Sequence, residues 1–195
     1  DAAKPDCFEA RLRRIGWGDV VFATPKASAS IVRRTAEHVR KARDDNFLLH
    51  VQTSGRSLNQ QAGRQTLLEV GDFTLCTTSA PYAVHVDNDT EHLVVRLPGA
   101  MLRRRLVHPE DFACIGIDGR SGIAAVAVTF LRTLWGQLAC RNLTTAPPEM
   151  ANCMVDLVVT ALLDGGAQVL SGESRQVLRR QQLLTYVNAR IRDPD

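Results

Sequence analysis

The stretch Gly63-Arg64-Gln65-Thr66-Leu67-Leu68-Glu69-Val70-Gly71-Asp72-Phe73-Thr74-Leu75-Cys76, continued by Tyr82-Ala83-Val84-His85-Val86 and Glu91-His92-Leu93-Val94-Val95-Arg96-Leu97, decides how the chain is read. Its apolar runs are short, rich in Val, Leu, Phe and Thr, and bounded by Gly, Pro, Asn or Asp, the pattern of successive antiparallel strands. Gly71-Asp72 is its sharpest turn signal. Glycine reaches positive φ without a Cβ clash, and aspartate bonds its own turn backbone. A small β-barrel or sandwich follows.

Upstream, Trp17–Ala23 reads as a first strand and Ala29–Thr35 as a second, with Phe8–Ile15 open to either a short helix or a strand. Glu37–Asn46 is too charged to bury and reads as a loop or solvated turn. Phe47–Thr53 is a strand whose alternation puts Leu48, His50 and Gln52 on one face. Ser57–Gln61 reads as a returning edge strand, which brings the total to about eight before residue 98. That strand density favours an all-β unit in the first half.

At Pro98 the period changes. Gly99–Val107 predicts a short helix entered through a proline. Ile123, Ala127, Phe130, Leu134 and Leu138 recur at helical spacing. A further helix runs from Pro147 or Pro148 to Leu163, where Gly165-Gly166 offers a left-handed stop, and another starts near Ser174. The fold class is therefore α+β: an antiparallel barrel over residues 1–97, a helical region over 98–172, and a lead helix over 173–195.

The chain has 195 residues, 45% of them hydrophobic and 23% charged, as an ordinary globular chain does. Its formal charge of +3 is too slight to mark a nucleic-acid surface. Cys7, Cys76, Cys114, Cys140 and Cys153 stand singly, which favours reduced, packed thiols in a cytoplasmic protein over a disulfide framework or a zinc site. No apolar run reaches the roughly 18 residues of a membrane span. An opening at Asp1 and an abrupt stop at Asp193-Pro194-Asp195 read as an excised piece.

The strand set with its Gly71-Asp72 turn resembles the cupin-like effector domain of AraC/XylS-type transcriptional regulators. Arg96-Leu97-Pro98-Gly99-Ala100-Met101-Leu102 is similar to that family's passage from last strand to first helix. Gln182–Asp195, with Tyr186-Val187 and a closing Asp193-Pro194, looks like its lead helix into the DNA-binding part. The family often has proline where Val70 stands. The resemblance implies effector sensing and homodimerisation, with promoter DNA reached only through helix-turn-helix units that this chain lacks.

The pocket is expected inside the barrel, oriented by His50 and Gln52, with Arg33 and Arg96 on strands that could line the same space, where a buried guanidinium suits an organic acid effector. The alternative leaves both arginines on the outer face. A metal-dependent cupin enzyme, an isomerase or dioxygenase, is the competing reading, yet the paired-histidine signature such an ion needs is missing: His50 stands alone on its strand, His85, Glu91 and His92 straddle a turn, and the histidines read as isolated. Neither a metal nor another cofactor is expected. Ser121 lacks the second glycine of a nucleophile elbow, and there is no Gly-rich phosphate loop. Arg103-Arg104-Arg105 spread around a helix and form no stripe. Leu134, Met154, Val155 and Val159 are the expected dimer interface, since the helices carry more apolar surface than one contact hides. A third reading is a plain dimerisation module with a filled barrel.

Overall fold

The protein's fold, seen in a computed structural model that describes residues 9–42 and 44–169, is two antiparallel sheets facing each other with helices on the back of one. One sheet has the order β1-β2-β9-β4-β7, built from Ala10–Trp17, Val20–Ala27, Glu91–Pro98, Asn46–Ser54 and Phe73–Thr77. The other has the order β3-β8-β5-β6, from Ser30–Arg34, Tyr82–Val86, Ser57–Gln61 and Arg64–Leu68. Every strand pair in the two sheets is antiparallel. This is the α+β, cupin-like arrangement.

Alternation along the strands divides the interior in two. Phe47, Leu49 and Val51 of β4 and Leu93, Val95 and Leu97 of β9 point away from the second sheet, into a core shared with Leu131, Leu134, Leu138, Met154, Val158 and Leu162 of the helices. The intervening residues, Leu48, His50 and Gln52 on β4 and His92, Val94 and Arg96 on β9, face the other sheet. Register keeps them together: His50 pairs with Val94 and Gln52 with His92.

The Gly71-Asp72 turn forms as its residues dictate. Gly71 sits at φ 97°, and Glu69 N–H donates to Asp72 Oδ2 at 3.0 Å. Several local readings change. Trp17–Ala23 is not one strand: Trp17 pairs with Val20 across a two-residue turn, so Gly18-Asp19 joins β1 to β2. Ser57–Gln61 is not an edge, because β8 and β6 flank it. Residues Ala36–Ala42 form a helix, α1, with no buried residue. It is held by its ends, with His38 N–H donating to Thr35 Oγ1 at 3.3 Å and Lys41 bridging Glu37 at 2.7 Å.

Helix α2 spans Gly99–Arg103, α3 Gly122–Ala139 and α4 Pro148–Val169. A 3-10 turn at Pro109–Phe112 buries Phe112, and the following residues pair with β7 through Phe73–Ile117 and Leu75–Ala113 bridges. α4 does not stop at Gly165-Gly166 but runs through both glycines. α3 is, by length and composition, apolar enough to cross a membrane, contrary to the sequence reading. Its Ala124, Ala127, Val128, Leu131, Leu134 and Leu138 are buried against the core, as in a packed helix of a globular unit. The helix expected near Ser174 lies outside the described residues.

Candidate functional site

Between the sheets lies a cavity of about 120 Å³, lined by Pro25, Ala27, Val32, Tyr82, Val84, Val86, Val94, Thr90, His50 and His92. Its position follows from the strands. β2 pairs with β9 at Val21–Arg96, Phe22–Val95 and Ala23–Val94, then not again until Lys26–Glu91. Pro25 sits in that gap; a proline has no N–H to give a ladder, so the seam opens there. Opposite it, β3 and β8 present the small β-branched side chains Val32, Val84 and Val86.

His50 and His92 are the polar centre of the wall. Their rings meet edge to face, with centroids 5.9 Å apart and planes at 81°. His50 is 7% exposed, and both of its ring nitrogens are buried without a hydrogen-bonding partner in the chain. Buried polar atoms without partners are uncommon in folded proteins. His92 is anchored, its Nε2 lying 2.9 Å from Ser57 Oγ. Ser57 Oγ donates its single hydrogen to Gln52 Oε1 at 2.7 Å and accepts from Asn59 Nδ2 at 3.1 Å. His92 must therefore donate through Nε2, which leaves Nδ1 as its acceptor. Burial drives the His50 imidazole down to about 3, with His92 as a secondary cause, and the His92 imidazole down to about 4. Both rings are neutral near pH 7.

Gln52, expected to touch a ligand, is instead a strut: 1% exposed, it donates to Ser54 O at 2.6 Å and accepts from Ser57. It positions Ser57 and, through it, His92. Arg96 faces inward one step along β9 from the cavity, in register with Leu48 and Val21, and its buried Nε has no partner in the chain. Arg33 is exposed and alternates with Val32, so it lies on the outer face of β3, away from the cavity. There it borders an open cleft of about 500 Å³ with Arg34, Gln60 and Arg64. Arg34 in that cleft is bound to Asp44 and to Thr78 O, and Arg64 to Asp111 O and Ala113 O.

The histidines are not all isolated, as the sequence reading had them. His50 and His92 converge because Gln52–His92 pairing sets them on adjacent strands and one face. His85 turns outward to Gln60 at 3.2 Å, and Glu91 bridges Lys26 at 2.8 Å. Among the described residues no three His, Cys, Asp or Glu side chains gather as metal ligands. Cys76 and Cys114 are buried free thiols, with Cys76 pushed up to about 12 by burial and then by Cys114, so it stays protonated. The four residues expected at a dimer interface are all interior: Leu134, Met154, Val155 and Val159 are 0–5% exposed within a single chain. The helical faces that looked surplus are packed into the core that helices and sheet share.

A hollow between two antiparallel sheets, backed by helices, is the build of a cupin-like domain. The AraC-binding-like domain family matches residues 1–163, and the chain belongs to that family. It is similar to an uncharacterised protein from the nit 5' region of Bacillus sp. (strain OxB-1), 24% identical over 193 residues that cover 98% of this chain and 74% of that one. It is also similar to the transcriptional activator NphR of Rhodococcus sp., 26% identical over 185 residues. The crystal structure of the AraC-like transcriptional activator CuxR superposes with a TM-score of 0.71 at 21% identity over 80% of this chain, a likeness of fold. The chain spans 53% of NphR and 56% of the CuxR chain.

Proposed function

We propose that this chain is the effector-sensing and dimerising unit of a cytoplasmic transcriptional regulator, without catalytic activity of its own, and that promoter DNA is bound by a helix-turn-helix part beyond it. The observation that carries the reading is the cavity with His50 on its wall, both nitrogens unbonded within the chain, in a member of the AraC-binding-like family. Pockets that orient a small ligand are mostly apolar with a few polar groups, and this wall has that composition.

The strands supply a path outward from the cavity. On β4, His50 faces the ligand space while its neighbours Leu49 and Val51 pack on the helical layer; on β9, Val94 stands between Leu93 and Val95 in the same way. A ligand that shifts either strand by a fraction of an ångström disturbs packing against α3 and α4, and it biases whichever arrangement of the helices binds it better. Homodimerisation belongs to the same proposal. The outer side of α3, where Val126 is 54% exposed, is available to a second copy.

Thermal denaturation against a panel of small metabolites tests the reading, because a ligand that binds only the folded state raises the midpoint with its concentration. At least one compound should stabilise the wild-type chain and fail to stabilise Val84→Phe, which fills the cavity. Stabilisation that survives Val84→Phe would place the site elsewhere. A metal-dependent cupin enzyme is the second reading. His50 and His92 would be its start, and stoichiometric metal in the purified protein would favour it.

A further inference from the structure

We infer, building on the effector-binding reading above, that the effector is a small uncharged molecule, with an apolar body held among Val32, Val84 and Val94 and one hydroxyl or carboxamide group bonded to His50. The wall has no Arg, Lys, Asp or Glu side chain on it. A carboxylate or ammonium placed there would lose its hydration with no opposite charge to replace it. The organic acid first considered is thus disfavoured by the same residues that make the cavity.

His50 narrows the polar group further. A neutral imidazole offers one donor and one acceptor, and here neither is bonded by a protein group. A hydroxyl or a primary amide both donates and accepts, so either one matches the ring in either tautomer. A carboxylate only accepts, so it can bond the ring in just one tautomer, and its charge would still lack a cation on the wall. Protonating the ring to receive an anion is opposed by the burial that holds both imidazoles neutral. The nearest inward guanidinium, Arg96, stands in register with Leu48 and Val21 rather than on the wall, and Arg34 is already bound to Asp44. The cavity's size, about 120 Å³, lies well under the roughly 300–1,000 Å³ of sites for drug-sized ligands, which limits the body to about one ring or a short branched chain.

The test uses three probes on one ring: benzyl alcohol, benzamide and benzoate, with the purified chain at pH 7.5, read by thermal shift and calorimetry. At least one neutral probe is expected to bind ten-fold or more tightly than benzoate, and His50→Leu, checked for folding by its own melting curve, is expected to abolish the difference. Benzoate binding equally or better, with loss in His50→Leu, overturns the uncharged class while leaving the cavity as the site. Neutral binding that His50→Leu leaves unchanged overturns the assigned contact. No response to any probe also overturns the inference, and the cavity then stands or falls on the Val84→Phe comparison.

Discussion

Gly165 of α4 packs directly onto Ile117: a β-carbon added to the glycine would stand 2.5 Å from Ile117 Cγ2 and 3.0 Å from its Cδ1. Ile117 is itself 2% exposed and tied to β7 by the Phe73 N–H to Ile117 O bond at 3.0 Å, so it has little room to retreat. Gly165→Ala sets two effects against each other. Helix propensity favours alanine by about 1 kcal/mol, while overpacking a core contact costs about 1–3 kcal/mol. The clash should offset the gain or outweigh it, lowering stability by up to roughly 2 kcal/mol and the melting midpoint by about 2–4 °C per kcal/mol for a chain of this size. Gly136→Ala inside α3, where an added β-carbon meets nothing within 4 Å, is the control. A rise in midpoint for Gly165→Ala would show that α4 is free to move off Ile117.

Acid should weaken the fold through the two cavity histidines. Their folded values, about 3 for His50 and about 4 for His92, lie below the ordinary 6.5, so below pH 6.5 the unfolded chain takes up protons that the folded chain refuses. Stability is complete above pH 6.5 and falls as pH drops toward 4, by roughly 1.4 kcal/mol per pH unit for each imidazole. Denaturant titrations of wild type and of the His50→Leu, His92→Gln double variant should diverge over pH 6.5 to 4, the variant being flatter. Parallel curves would mean that the histidines titrate normally.

Replacing His50 alone should separate stability from binding. Leucine has a similar volume and removes two buried nitrogens that no protein group satisfies, and such groups each cost roughly 1–3 kcal/mol. Ligand-free His50→Leu should therefore melt above wild type. A lower midpoint would indicate that the imidazole already has a stabilising contact, contrary to the arrangement described.

Much of the fold was legible because it rests on short-range chemistry. The Gly71-Asp72 turn, the alternation of Leu48, His50 and Gln52, and the change of period at Pro98 all reappear. What was hidden depends on register between distant strands. Nothing in the spacing of His50 and His92 shows that Gln52 pairs with His92 and sets both rings on one face. Arg33 likewise carried no sign of its side, since β3 is only five residues long and both neighbours before it, Ile31 and Val32, are apolar. Gly165-Gly166 carried a stop signal by composition, and the close approach of Ile117 is what keeps glycine inside the helix instead. A hydrophobic pattern around α4 marked burial but not where it falls, which for Met154, Val155 and Val159 is the core shared with α3.

That distinction can be measured with two substitutions of the same kind. Val155 is fully buried and Val126 is 54% exposed, although each lies on a helix of the same layer. Val155→Glu puts a carboxylate at a fully buried position, at a cost on the order of several kcal/mol, comparable with the whole stability of a domain. It should give an unfolded or insoluble chain by circular dichroism. Val126→Glu places its charge in solvent and should keep the wild-type spectrum and midpoint within about 0.5 kcal/mol. If the outer side of α3 joins two copies, sedimentation will show Val126→Glu as a monomer where wild type is a dimer. A folded Val155→Glu would contradict the packing of α4, and a folded, still dimeric Val126→Glu would move the interface away from α3.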